Sequence, residues 1–521
     1  MALVYKYQNF YEIIEANAQQ YGKKPIIFTQ NRKLNNIELK QKVDTFARFL
    51  ELGGIKYQDK VAIILKNSEY FIISLLAITK LGAIAVPINN FLKKEEFEYI
   101  LNNCDAKLLI TSNDFKKELK EILVDTKIEK TIWTDKYDKL DENNFCFDEI
   151  LSNNITHEKL SYTPTLDDTA ILIYTSGTTG NPKGAMLSFK NIFSNMISGS
   201  MRFNIVQKDR FIVYLPMFHS FTLSIMVMLP LYNGCAMVIV KSIFPFSNIL
   251  KQTLLKRVTI FLGAPQIYNA LNKAKIPWYF RYFHKIRGFL SGSAPLSEQV
   301  VLDFKKKFKK SIMVEGYGLS ECSPAVCVNT LEKQKILSVG IPLESYEVKV
   351  VDDELVEVPI GEVGELIVKG DCVMQGYYNN EEATKETIIN GWLKTGDLAK
   401  IDKEGFVYIV DRKKDIIISK GINVYPREIE ELIYKLDDVD SCAVVGIADE
   451  TKDEKIVAFI ELKDKESNSL TSNMVKSYLK EHLANFKIPK NIYFIDELPK
   501  NATNKVLKRK LKEDIDISKF K

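Results

Sequence analysis

Early in the chain, apolar residues alternate between strand-length runs and helix-spaced positions. Residues 61–65 and 83–86 are short continuous apolar runs, residues 69–81 between them carry helical periodicity, and residues 94–102 (helical) and 108–111 (strand-like) repeat the pair. The order predicts β-α-β-α-β, the unit from which parallel sheets with helices on both faces are built. Residues 116–165 are charged and rich in Asp, Asn, Ser and Lys, and read as a connection between subdomains. A buried strand is predicted at 170–173 and a helix at 187–202. Strand-sized segments with turns dominate 339–410, among them 348–351, 364–368 and 405–410, which predicts a β-rich lobe. At Asp411-Arg412 a charged run interrupts this pattern, and the domain boundary is placed there, giving domains 1–411 and 412–521. Beyond it, helices at 426–436 and 473–483 and strands at 442–445 and 456–462 predict a small α+β domain. No Gly/Ser-rich or Pro-rich linker and no fixed-period repeat interrupts the chain.

Composition narrows the classes. A chain of 521 residues with 46% hydrophobic content is too long for one ordinary core. Lys plus Arg of 72 against Asp plus Glu of 67 leaves a formal charge of +5, so no nucleic-acid partner is expected. Seven scattered cysteines without a CxxC pair indicate neither a disulfide framework nor a zinc site, and a cytoplasmic location is the simplest expectation. The N-terminus turns polar and acidic before a signal-peptide core could form. Residues 211–240 lack Lys, Arg, Asp and Glu, but Pro216, His219, Pro230, Asn233 and Gly234 divide them, which predicts buried strands and a short helix instead of a membrane span. Two basic runs, Lys305 to Lys310 and Lys505 to Lys512, read as solvated helix faces, with peripheral contact to anionic lipid or to an acidic carrier protein as the alternative. Oligomeric state is not legible.

The chemistry begins at Tyr174-Thr175-Ser176-Gly177-Thr178-Thr179-Gly180-Asn181-Pro182-Lys183-Gly184, which packs four aliphatic hydroxyls, three glycines and one lysine into eleven residues. Glycines let backbone N–H groups converge on an anion, hydroxyls add neutral donors and a lysine adds compact charge. This is the composition of a polyphosphate cradle, and the pattern around it predicts a strand-to-helix junction. A Walker loop is excluded, because Asn181 follows Gly180 and Gly184 follows Lys183. A plain surface turn remains the alternative for the loop taken alone.

The ordered motifs resemble the adenylate-forming superfamily, which includes acyl-CoA synthetases, peptide-synthetase adenylation domains and luciferases. Behind the first loop come SGSAPLS (291–297), EGYGLSE (315–321), WLKTGD (392–397), DRKKDIIISKGINVYPREIE (411–430) and LPKNATNK (498–505), in the family's order. The resemblance implies an α/β fold: a large N-terminal domain of two α/β subdomains plus a β-barrel lobe, with a small mobile α+β C-terminal domain. It implies ATP held by Thr175, Ser176, Gly177, Thr178, Thr179, Gly180 and Lys183, with adenine near Ser293, Ala294, Pro295, Glu315, Gly316, Tyr317, Gly318 and Ser320. Asp397 and Arg412 would take the ribose, Glu321 a Mg2+ ion, and Lys505 the catalytic role between substrate carboxylate and α-phosphate. Lys414 would be the hinge of the C-terminal lid, and Lys420 and Gly421 would border the CoA channel. The family usually has Gly before the catalytic lysine, whereas this chain has Asn504, the best non-glycine residue for a left-handed backbone.

The apolar segment 215–231 resembles the acyl-pocket lining of fatty-acyl-CoA ligases, with Phe218 and His219 at the pocket. Peptide-synthetase domains carry an aspartate where His219 stands, which disfavours an amino acid substrate. The implied partners are a fatty acid and CoA, with acyl carrier protein as the rival acceptor and an aryl acid as a rival substrate. A P-loop phosphotransferase, which would release ADP, and a silent nucleotide-binding scaffold are the readings from other classes.

Overall fold

A computed structural model describes residues 3–135, 142–153, 160–175, 181–243, 245–309, 311–344, 346–419, 422–448, 454–463, 470–500 and 506–513. Two large sheets form the body. The eight-stranded sheet runs in the order Gly376–Tyr377, Lys183–Ser188, Thr169–Thr175, Ile84–Pro87, Lys60–Ile64, Ala106–Thr111, Lys130–Trp133 and Asn144–Cys146. The pairs that join Thr169–Thr175, Ile84–Pro87, Lys60–Ile64 and Ala106–Thr111 are parallel, as the β-α-β-α-β pattern predicts. Residues 116–165, expected to be a connection, instead supply this sheet's last two strands, paired in parallel beside Ala106–Thr111, and the helices Lys116–Ile122 and Phe147–Ser152. Strands of three and four residues, with Lys130 and Asn144 at their starts, are too short to show a hydrophobic period in the sequence.

The nine-stranded sheet has the parallel strands Ile312–Gly318, Gly288–Ser291, Ile260–Gly263, Arg210–Val213, Ala236–Ile239 and Pro25–Phe28 at its centre. The uncharged segment 211–240 lies here, as two buried strands bracketing a π-helical stretch Thr222–Met228 and the short helix Leu229–Tyr232. Among the described residues no helix is long and apolar enough to cross a membrane. The β-rich lobe is a five-stranded antiparallel sheet built on Trp392–Ile401, which pairs with Gly364–Lys369, Ile388–Ile389 and Val407–Arg412.

One apolar core extends from Phe10 to Val407. A separate core, including Ile417, Ile429, Val444, Ala458 and Leu479, underlies the last part of the chain, where Val439–Ala448, Glu454–Leu462 and Asn491–Phe494 form a three-stranded sheet. The two bodies meet at Asp411. Its carboxylate accepts from the backbone N–H of Arg412 and of Arg427, both at 2.9 Å, and Arg427 stands in the first turn of the helix Pro426–Ile433. Arg427 reaches back to the Ile409 carbonyl at 2.6 Å.

Candidate active site

In a parallel sheet, ligands gather beyond the carboxyl ends of the strands. Register puts Ser291 beside Glu315 and Gly263 beside Ser291, so the segment SGSAP leaves the sheet next to EGYG, the end of the strand Ile312–Gly318. They open into a cleft of about 2500 Å³ between the body and the C-terminal lobe. Of the sequence-expected residues, Thr175, Lys183, Phe218, His219, Ser293, Ala294, Pro295, Glu315, Gly316, Tyr317, Gly318, Ser320, Glu321, Asp397, Arg412 and Lys414 all line it. Ser176, Gly177, Thr178, Thr179, Gly180, Lys420, Gly421 and Lys505 lie outside the described residues.

The first loop differs from its expected setting. Thr169–Thr175 and Lys183–Ser188 pair antiparallel with Thr175 opposite Lys183, so the loop joins two strands of a hairpin and does not enter a helix. The helix starts only at Phe189, after a capping box between Ser188 and Asn191. The helix expected at 187–202 thus begins two residues late, because Leu187 and Ser188 belong to a segment paired on both edges, with Thr169–Thr175 and with Gly376–Tyr377. Helix amides therefore do not contribute to the cradle.

Glu321 anchors the opposite rim. Its Oε1 accepts from the Tyr377 hydroxyl at 3.0 Å and from Thr175 Oγ1 at 3.3 Å, which leaves Oε2 without a donor among the described residues. A hard divalent cation prefers such carboxylate oxygen, with water and phosphate completing its shell. Lys183 Nζ lies 5.4 Å from the centroid of the Tyr377 ring. Loop lysine, carboxylate and two hydroxyls thus meet at one place.

Asp397 and Arg412 are cross-strand partners, and Arg412 Nε approaches Asp397 Oδ1 at 3.4 Å. The Tyr317 hydroxyl donates to Asp397 Oδ2 at 2.6 Å, which fixes the ring as one wall of the cleft. Gly318 permits this geometry, since a Cβ there would lie 1.9 Å from the Pro324 carbonyl oxygen. Ser320 Oγ lies 2.8 Å from Ser220 Oγ and ties this segment to the acyl-pocket candidate 215–231.

Glu315 is buried, and one carboxylate oxygen accepts from the Leu296 N–H at 3.1 Å. Burial pushes its pKa up to about 7, against partial compensation from Arg427 and that N–H. A carboxyl group with a raised folded-state pKa contributes stability that is full below its ordinary value of 4.5 and lost as pH rises through about 7. The loss is of order 3 kcal/mol. Glu315→Gln is therefore expected to raise the melting temperature relative to the parent at alkaline pH and to flatten its decline from acid to alkaline pH. A parallel decline in both proteins would show that Glu315 is not the titrating group.

Several lining residues carry no sequence signal of function. Gly199 and Phe203 on the helix at Phe189–Arg202 and just after it, Ile225 and Leu229 on the π-helical side, and Val328 and Leu343 opposite form an apolar arm of the same cleft. Each reads as ordinary core in the sequence. Lys508 also escaped notice as more than part of a basic run. Its Nζ lies 2.8 Å from Glu430 Oε1, and the nearby carboxylates of Glu430 and Asp411 hold its pKa up against burial.

The profile of the AMP-binding enzyme family matches residues 14–378, and that of the AMP-binding enzyme C-terminal domain matches residues 428–505. The chain belongs to the AMP-binding enzyme family. A long-chain-fatty-acid–CoA ligase of Escherichia coli is 32% identical over 539 aligned positions, covering 98% of this chain and 95% of that protein. The anthranilate CoA ligase AuaEII, solved with anthranoyl-AMP, superposes with a TM-score of 0.90 at 28% identity, covering 98% of this chain and 97% of that one. The o-succinylbenzoate CoA synthetase of Bacillus subtilis, solved with ATP and a magnesium ion, superposes at 0.84 with 28% identity, covering 97% and 100%.

Proposed function

We propose that this AMP-binding family member is an acid–CoA ligase that activates a fatty acid through its acyl-adenylate. A carboxylate resists thiols at neutral pH, because delocalised charge shields its carbon and oxide is a poor leaving group. Attack of the carboxylate oxygen on the α-phosphorus of ATP forms a C–O–P anhydride and expels pyrophosphate. The thiolate of CoA then attacks the acyl carbon and expels AMP. In this reading Thr175, Lys183 and the loop between them hold the phosphates, Glu321 takes Mg2+, Asp397 and Arg412 take the ribose, and Lys505 supplies charge between the two anions. The C-terminal lid, residues 412–521, turns about Lys414 to admit CoA past Lys420 and Gly421.

The observation that carries the fatty substrate is the apolar lining that Gly199, Phe203, Ile225, Leu229, Val328 and Leu343 give the cleft. An aliphatic tail gains ~0.8 kcal/mol for each methylene buried there. An aryl acid is the second reading, favoured by the anthranoyl and succinylbenzoate ligases superposed above. Pyrophosphate release screened over fatty, aryl and amino acids, with CoA and holo carrier protein as acceptors, separates them. Fatty acids with CoA are expected to give the highest kcat/KM; a higher value for any aryl acid would remove the fatty reading.

The arm's depth can be tested at one position. A Cβ at Gly199 would meet only Leu229 side-chain atoms, at 3.7 and 3.8 Å, so larger residues would project toward the arm without meeting backbone. Gly199→Leu is expected to displace about four methylenes of a long chain, a loss of ~3 kcal/mol, or about 100-fold in kcat/KM. Octanoate should keep most of its rate. Equal losses for short and long acids would place the tail elsewhere.

A further inference from the structure

Residues 274–287, between the cleft-lining helix Pro265–Lys273 and the strand Gly288–Ser291, contain no acidic residue. Within them the short helix Trp278–Phe283 is held from one side only. Phe280 is buried, and the ring of the following His284 lies 6.1 Å from Phe308 and 6.4 Å from Phe289. The rest of the helix faces outward: Trp278, Tyr279, Tyr282 and Phe283 are 64%, 46%, 73% and 61% exposed. Four aromatic rings on six residues form a concentrated apolar patch, unlike singly scattered surface hydrophobes.

The patch has a cationic rim. Lys275, Arg281 and Lys285 are exposed on the same segment, and Lys305 and Lys309 stand beside it at the end of the helix Glu298–Lys307, joined through Phe308. None of the five makes a salt bridge among the described residues. Lys307 differs, since its ammonium is spent on the Leu271, Asn272 and Ala274 carbonyls at 2.9, 2.8 and 2.6 Å.

We propose that this face docks the protein onto an anionic lipid bilayer, with the rings at headgroup level and the five cations against lipid phosphates. Trp and Tyr favour the interface between water and hydrocarbon, and each nearby cation adds ~1 kcal/mol at an anionic surface. Charge decides against a second copy of the chain, because a two-fold contact through the patch would oppose two cationic rims. The docking stands on this surface alone, whichever acid occupies the cleft. It also sets the cleft one helix away from the membrane, where an apolar acid would partition.

Flotation of the full chain with phosphatidylcholine vesicles, with and without about one-third phosphatidylglycerol, tests it. The protein is expected to float with the anionic vesicles and to be released at high salt. Brominated lipid should quench the parent's emission, and the quenching should be lost with the Trp278→Ser change, which leaves the buried Trp133 and, on the strand Trp392–Ile401, Trp392. Trp278→Ser/Tyr282→Ser/Phe283→Ser and Lys275→Glu/Arg281→Glu/Lys285→Glu should each weaken anionic-vesicle binding by at least about tenfold with unchanged melting temperature. If the aromatic variant fails to fold, the charge-reversal variant decides by itself. Absence of parental binding to anionic vesicles, variant binding equal to the parent, or a dimer dissolved by either variant would overturn the proposal.

Discussion

Lys505→Ala is expected to lower acid-dependent pyrophosphate release by roughly 100- to 1000-fold while leaving CoA transfer from supplied acyl-adenylate within about threefold. The asymmetry follows from where charge accumulates. In the first half-reaction a carboxylate approaches a phosphate, and two of the cations beside Asp397 are already engaged: Arg412 faces Asp397 and Lys413 pairs with Asp353 and Glu365. In the second, a thiolate meets a neutral acyl carbon and needs no such ammonium. Lys505 itself lies outside the described residues, but its neighbours are anchored at the cleft. Lys500 and Val506 form an antiparallel bridge, Lys500 Nζ lies 3.0 Å from Glu461, and Val506, Leu507 and Lys508 line the cavity. Single-turnover assays of the two half-reactions decide it. Undiminished adenylation in the variant would sink the assignment, and ADP as product would replace it with phosphotransfer.

The parts of this site that could be read from sequence are those where function demands unusual residues in a fixed order. Hydroxyl-rich and glycine-rich strings, a buried Glu315 and the Asp397–Arg412 pair stand out because an ordinary core or surface has little use for them. Parallel strands such as Lys60–Ile64 were legible for a different reason, being buried on both faces and hence continuously apolar. What stayed hidden depends on partners distant in the chain. Lys183–Ser188 is a strand because of its neighbours, Lys130–Trp133 and Asn144–Cys146 are too short and polar to announce themselves, and Gly199 or Phe203 differ from core residues only by facing a cavity. The Lys508–Glu430 contact joins positions 78 apart within a basic run whose composition suggested a solvated face.

Lys414→Pro is expected to slow thioester formation at least about tenfold while adenylate formation stays within about threefold. Lys414 is the middle residue of the single turn Lys413–Asp415 that follows the last strand of the body and precedes the core of the C-terminal lobe. On one side Lys413 is tied to the body, 2.7 Å from Asp353 and 3.1 Å from Glu365. On the other, the contacts to the body among the described residues are polar: Arg427 donates to Asp411 and to the Ile409 carbonyl, Lys435 meets Glu298 at 3.2 Å, and Asp440 meets Lys273 and Asn269. Exposed ion pairs of this kind are worth ~0–1 kcal/mol each, so they can be exchanged during a rotation. On the proposed reading, the lid pivots on backbone torsions next to a fixed Lys413. Proline holds its own φ near −65° and restricts the residue before it, which freezes the torsions a rotation would use. Lys414→Gly provides the control, because it removes the same ammonium but frees the backbone and should retain both half-reactions. If Lys414→Pro slowed both steps equally, or Lys414→Gly slowed the thioester step as much as proline does, the pivot would lie at another residue.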